Sequence, residues 1–232
     1  MRDAWRLATG TLTAIPVRPP AQVDRGIARA AMLLAPLAVL PLGALVAAVL
    51  WAGGVTDLPP LAVAFVALGV LAAGSRALHW DGLSDVADGL TASYDRERSL
   101  AVMKTGTSGP AGVLATVVVA GVQAAALTAY LDTVAHAVLA GGLVCLSRCA
   151  LWIVCCTRVP PARADGLGVT YTGTVPVPVA VAGGLLLSVT GGVVVAALVR
   201  RTTARFGGVT GDVFGAAIEL ALATTLLTWA WL

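Results

Sequence analysis

Long apolar stretches separated by short charged segments run the length of the chain. No charged residue lies between Arg29 and Asp57 or within 105–131, 133–147 or 174–199, and Glu219 alone interrupts 213–232. A helix needs roughly 20 apolar residues at about 1.5 Å rise each to cross a bilayer, so these runs predict membrane-spanning helices. The spans they outline are 31–51, 58–75, 110–131, 133–156, a segment within 174–199, and 213–231. Pro36, Pro41, Gly183, Gly184, Gly191 and Gly192 fall inside them, as helices in lipid tolerate. The expected fold is all-α: one transmembrane domain over 1–232, a polytopic integral membrane protein of about six to seven transmembrane helices.

Composition sharpens the class. The chain is 58% hydrophobic and 12% charged, half the charge of about 25% usual in a soluble domain. The first 30 residues carry five arginines and no apolar stretch between them, so no cleaved leader is visible and the first span is expected to direct insertion. All but one of the 15 cations are arginines, with no cluster dense enough for nucleic-acid binding. They mark the cytoplasmic side instead. That rule puts the N-terminus and an acidic segment at about 76–108 inside, and Asp57 and Asp132 outside. One crossing through 174–199 would leave Arg200, Arg201 and Arg205 outside. Either 166–199 crosses twice as short helices, or it is re-entrant. Cys145, Cys149, Cys155 and Cys156 lack partners for a zinc set and read as small core residues.

Five of the 12 acidic residues fall between 81 and 97. At about 100° per residue, Asp81, Asp85 and Asp88 share an arc of roughly 60° on one helix. Three carboxylates on one stripe repel each other unless a cation neutralises them. Oxygen ligands suit Mg²⁺, Mn²⁺ or Ca²⁺ rather than zinc. A solvated acidic face pairing with Arg76, Arg96 and Arg98 is the plainer alternative. His79, beside Trp80, reads equally as base or ligand and as an interface anchor.

Two further segments carry candidate chemistry. In Gly207-Gly208-Val209-Thr210-Gly211-Asp212, a Gly-rich approach to the last span offers backbone N–H groups for a phosphate. Asp212 and Glu219 lie near one face of that helix, and an ionisable group within an apolar span is a functional candidate. Met103-Lys104-Thr105-Gly106-Thr107-Ser108-Gly109-Pro110 is a polar turn with one lysine where a phosphate might sit, or an ordinary interfacial loop.

In these stretches the chain resembles the cobalamin synthase family, the adenosylcobinamide-GDP ribazoletransferases. Leu78 to Leu90 is similar to the family's LHxDGLxDxxDG signature, and Asp95-Arg96-Glu97-Arg98 with Met103-Lys104 to its DRERxxxxMK segment. Gly208-Val209-Thr210-Gly211-Asp212 resembles its GxTGD motif, and Leu12-Thr13-Ala14-Ile15-Pro16-Val17 its opening. Where many members continue from MK with Asp-Ser-Arg, this chain has Thr105-Gly106-Thr107. The resemblance implies joining of adenosylcobinamide-GDP to α-ribazole or its 5′-phosphate, with release of GMP, dependence on Mg²⁺ and a bacterial inner-membrane location. It places the metal on Asp81, Asp85, Asp88 and Asp212, and catalysis on Asp85, Asp88 and Lys104. Substrate contacts fall to His79, Arg98, Gly208, Thr210 and Gly211. A CDP-alcohol phosphotransferase also spaces aspartates at three and four residues, but the Ala-Arg it expects after Asp-Gly is absent. A cation-coupled transporter would use intramembrane carboxylates, but no paired halves are evident.

Overall fold

The chain is described over residues 1–230 by a computed structural model. Its helices in order are α1 (Arg2–Leu12), α2 (Arg25–Ala38), α3 (Leu40–Val55), α4 (Pro60–Gly74), α5 (Leu78–Ala92), α6 (Arg96–Val102) and α7 (Pro110–Leu127). They continue with α8 (Val134–Leu146), α9 (Ala150–Val154), α10 (Leu167–Tyr171), α11 (Val177–Leu186), α12 (Thr190–Phe206) and α13 (Gly211–Trp229). Among the described residues, strand-type pairing is confined to two isolated bridges, Cys156 with Val175 and Pro161 with Val209.

The protein is a polytopic, all-helical membrane protein. Among the described residues, four continuous helical stretches are long and apolar enough to cross: α2–α3, α7, α8–α9 and α13, with a fifth if α4 and α5 count as one broken span. The apolar runs alone suggested six or seven. The difference lies in bends, which hydropathy does not report. α4 has 15 residues and meets α5 at 93°. The 10-residue α11 reaches only about 15 Å, half the hydrocarbon thickness. The last span begins two residues earlier than expected, at Gly211, and its expected end at 231 lies outside the described residues.

The awkward stretch 166–199 belongs to a hairpin. α11 and α12 reverse at Leu187–Val189, where Ser188 and Val189 have φ of 60° and 50°. Gly184 and Gly192 let the two legs touch: a Cβ on Gly192 would lie 2.7 Å from Gly184 Cα. The end of α12 therefore returns to where α11 began. Arg205 donates to the Ser93 carbonyl and stacks 4.6 Å over the Tyr94 ring.

The bend between α4 and α5 is made by two left-handed residues, Arg76 (φ 57°) and Ala77 (φ 54°). Such conformations cost on the order of 1 kcal/mol each without glycine. The N-terminal segment holds them in place, for Arg76 Nη2 donates to Gly10 O at 2.8 Å and Ala14 N to Gly74 O at 2.6 Å. Past the bend, α5 runs antiparallel to α13. His79 lies against Gly215, and Gly82 against Asp212. From Leu83 onward α5 runs past the N-terminal end of α13, and Asp88 reaches the first amides of α7.

The α5–α13 contact is main chain on main chain. A Cβ on Gly215 would lie 2.8 Å from His79 Cα, and one on Gly82 would lie 3.0 Å from Asp212 Cα. Backbone cannot swing aside as a side chain can. Gly215→Ala is expected to lower stability by about 1–3 kcal/mol through overpacking, read as earlier thermal unfolding of the detergent-solubilised chain. Gly121→Ala on α7, with open space around it, should leave the transition where it is.

Candidate active site

The three aspartates of α5 share a stripe, yet the fold gives them different partners. Asp88 is buried. Its Oδ2 accepts from Gly109 N at 2.7 Å and its Oδ1 from Gly112 N at 2.9 Å. These amides open α7 and have no partner inside the helix, and a carboxylate there also meets the positive end of the helix dipole. A Cβ on Gly109 would come 2.6 Å from Asp88 Oδ1, so glycine makes the room for this cap. Beside it, Ser84 Oγ donates to Ser108 Oγ at 3.0 Å. The carboxylate expected as ligand or base is the one that anchors the 103–110 turn to α5.

Asp81 is exposed and Asp85 half-buried on the same stripe. Asp212, at the start of α13, faces them across the Gly82 contact. Burial first, then the carboxylates of Asp81, Asp212 and Asp88, push Asp85 up to about 7, and Arg163 alone pulls it down. Among the described residues, no three His, Cys, Asp or Glu side chains are close enough to hold a metal ion unaided. The donor chemistry still fits a hard divalent cation. Mg²⁺ is commonly bound by one or two carboxylates, with substrate phosphate and water completing its shell, and the mutual repulsion around Asp85 is what such an ion relieves. Asp81, Asp85 and Asp212 are the carboxylates from which one or two such ligands could come.

Next to Asp212 opens a cavity of about 220 Å³, lined by Lys104, Arg163, Asp165, Gly166, Leu167, Gly168 and the segment Val209–Asp212. The loop 158–166 forms one wall. Pairing of Ala162 N with Val209 O (2.9 Å) and of Val209 N with Pro160 O (3.0 Å) fixes it to the approach of α13. Arg96 Nη2 donates to Ala162 O at 2.8 Å and Arg163 Nη2 to Leu100 O at 2.7 Å, tying the loop to α6. Lys104 Nζ stands 3.5 Å from Asp165 Oδ2, both exposed. Thr210 Oγ1 donates to Asp212 Oδ2 at 3.0 Å and so sets that carboxylate's direction.

The cavity thus brings together Lys104, Thr210, Gly211 and Asp212, which the sequence had marked in two separate segments. Gly208 is buried against Pro160 and Pro161 main chain, 2.6 Å from Pro161 C at its Cβ position, and serves the loop packing. Arg98 stands exposed on α6. His79 is buried, with Nδ1 3.5 Å from Glu219 Oε1. Arg163, Asp165, Gly166 and Gly168 were missed as site residues. The signal existed in Arg163-Ala164-Asp165-Gly166-Leu167-Gly168, a charged Gly-rich loop between apolar runs.

Comparison with known proteins gives this geometry a setting. Residues 4–230 match the family described as cobalamin-5-phosphate synthase. The chain is similar to an adenosylcobinamide-GDP ribazoletransferase of Nocardioides sp. (strain ATCC BAA-499 / JS614), 75% identical over 99% of each chain. A protein of that name from Frankia casuarinae is 37% identical over 97% of this chain and 93% of its own. Another, from Pseudomonas aeruginosa (strain UCBPP-PA14), is 35% identical over 99% of this chain and 100% of its own. No solved structure matches the chain.

Two outcomes follow from the carboxylates. Asp88→Ala strands one buried and one part-buried amide and should cost about 1–3 kcal/mol, measured as a lowered unfolding temperature. A proton and a divalent cation compete for Asp85, so Mn²⁺ affinity should rise as pH climbs through about 7 and level off above it. An Asp85→Asn chain should lose that rise.

Proposed function

The chain belongs to the cobalamin-5-phosphate synthase family, and from that premise we propose that this enzyme joins adenosylcobinamide-GDP to α-ribazole or its 5′-phosphate. GMP leaves, and the product is adenosylcobalamin or its 5′-phosphate. The observation that carries the reading is the neighbourhood of the Asp81, Asp85 and Asp212 carboxylates, of which Asp212 lines a cavity walled by Lys104 and Arg163.

The substrate supplies a pyrophosphate, and this end of the bundle suits one. Lys104 offers a compact charge, while Arg163 offers a planar fork with donors left after its bond to Leu100 O. Gly211 and Asp212, which open α13, line the same cavity, and the helix dipole there favours an anion. A Mg²⁺ ion held among Asp81, Asp85 and Asp212 would offset charge on the pyrophosphate and on the departing GMP. Of the two candidate bases, Asp85 would bind the metal through one oxygen and keep the other for the proton of the ribazole 5′-hydroxyl. Asp88 has both oxygens engaged by amides.

Arg96, Arg163 and Arg205 make their bonds at this end of the bundle. By the positive-inside rule that end is cytoplasmic, in the inner membrane of a bacterial cell, where soluble nucleotide-activated substrates are at hand.

GMP release from adenosylcobinamide-GDP and α-ribazole, with the purified chain in lipid, tests the proposal. Turnover is expected to require Mg²⁺ and to fall about 100-fold or more in Asp85→Asn. Unaltered turnover in that variant would keep the reaction and remove Asp85 from it. A folded wild type that releases no GMP would reject the reaction.

A further inference from the structure

Behind the site, inside the apolar bundle, four polar side chains converge from four elements. His79 comes from α5, Gln123 from α7, Arg148 from the tight turn between α8 and α9, and Glu219 from α13. They are 5%, 0%, 0% and 1% exposed. Gln123 Nε2 donates to Glu219 Oε2 at 2.9 Å and to the Glu219 main-chain oxygen at 3.0 Å. His79 Nδ1 approaches the other carboxylate oxygen at 3.5 Å. Arg148 Nη1 donates to Val144 O and Ser147 Oγ, at 2.7 and 2.9 Å. Its Nε and Nη2 have no hydrogen-bond partner among the described residues. Its charge lies within electrostatic range of Glu219, though the two form no ion pair within 4 Å among the described residues.

Charges in an apolar span are expensive, and apolar residues of the same volume would fold at least as well. Lining the substrate cavity is not what this group does, since none of its members is on that wall. Its geometry answers a different need. Glu219 lies one helical turn beyond Gly215, the point where α13 touches His79. Through Gln123 the same carboxylate reaches α7, and α7 is held at its other end by Asp88 of α5. At the level of Glu219 the helices α5, α7 and α13 meet, and at the level of Asp88 α5 is tied to α7. Between those levels lies the gap separating Asp81 and Asp85 from Asp212.

We propose that Glu219, with His79 and Gln123 as its contacts and Arg148 as its counter-charge, is a positioning residue that sets α5 against α13. It thereby fixes the spacing of the carboxylate site without touching substrate. The inference rests on the reading of that site as a divalent-cation site. Misplacing reacting groups by about 1 Å from a distance can cost on the order of 100-fold in rate, so a buried polar lock at this seam has a function that packing alone does not serve.

Two readouts avoid turnover: binding of Mn²⁺ alone to the full chain in lipid nanodiscs, and amide hydrogen exchange of peptide 78–92. Glu219→Gln keeps the side chain's shape and an acceptor for Gln123. It is expected to weaken Mn²⁺ binding about tenfold, a size usual for coupled neighbours, and to speed exchange across 78–92 but not across 40–55. The double variant Glu219→Gln with Arg148→Gln leaves no uncompensated buried charge, so it is read where the single variant folds poorly, with the same outcome expected. Asp85→Asn is the reference. Should it bind Mn²⁺ like the wild type, the cation site falls and the positioning role with it. Should it bind weakly while the Glu219 variants match the wild type in binding and exchange, the positioning role alone is overturned. Faster exchange in every helix would also overturn it, because the group would then be holding the whole fold.

Discussion

Where Gly82 and Gly215 let α5 and α13 approach until main chain meets main chain, the rest of the structure takes its bearings. The contact is stiff because neither side has a rotamer to change. It brings the Asp81–Asp85 stripe of one helix to the first turn of another, and so makes one acidic site from residues more than a hundred positions apart. The bend at Arg76 and Ala77 aims α5 along this path, and the N-terminal segment pins the bend. An otherwise lipid-like bundle can thus expose carboxylates at its edge.

Open helix ends and loop carbonyls pose the second constraint, since an unmet backbone group in a membrane protein is costly. The chain meets it with charged side chains at the site end. Asp24, Asp95 and Asp88 accept from the first amides of α2, α6 and α7. Arg25, Arg29, Arg96, Arg163 and Arg205 donate to carbonyls of Gly173, Thr174, Ala162, Leu100 and Ser93. A guanidinium can bind a carbonyl and keep donors spare, which an ammonium does less well. The arginines that seemed only to mark a membrane side are also what braces the loops walling the cavity.

The same limit on one-dimensional reading explains what was visible and what was not. Periodicity placed Asp81, Asp85 and Asp88 on one face, and all three do lie on one side of α5. It said nothing of which neighbour each would meet, so Asp88's engagement with Gly109 and Gly112 was beyond it. Arg148 passed unnoticed as an ordinary cation because its burial depends on helices far along the chain. Arg163, Asp165 and Gly168 became site residues only when the loop 158–166 paired with Val209.

By itself the sequence determined the solvent of this protein, its all-helical class, the acidic stripe and the motifs of its family. Those follow from transfer free energy per residue and from the helical repeat, both local properties of the chain. Tertiary structure decided where helices bend or turn back, which carboxylate is taken up by backbone amides, and which charges are enclosed among apolar helices. These depend on contacts between distant segments, where a glycine's missing Cβ or one unmet amide selects a single arrangement from many that local propensity allows.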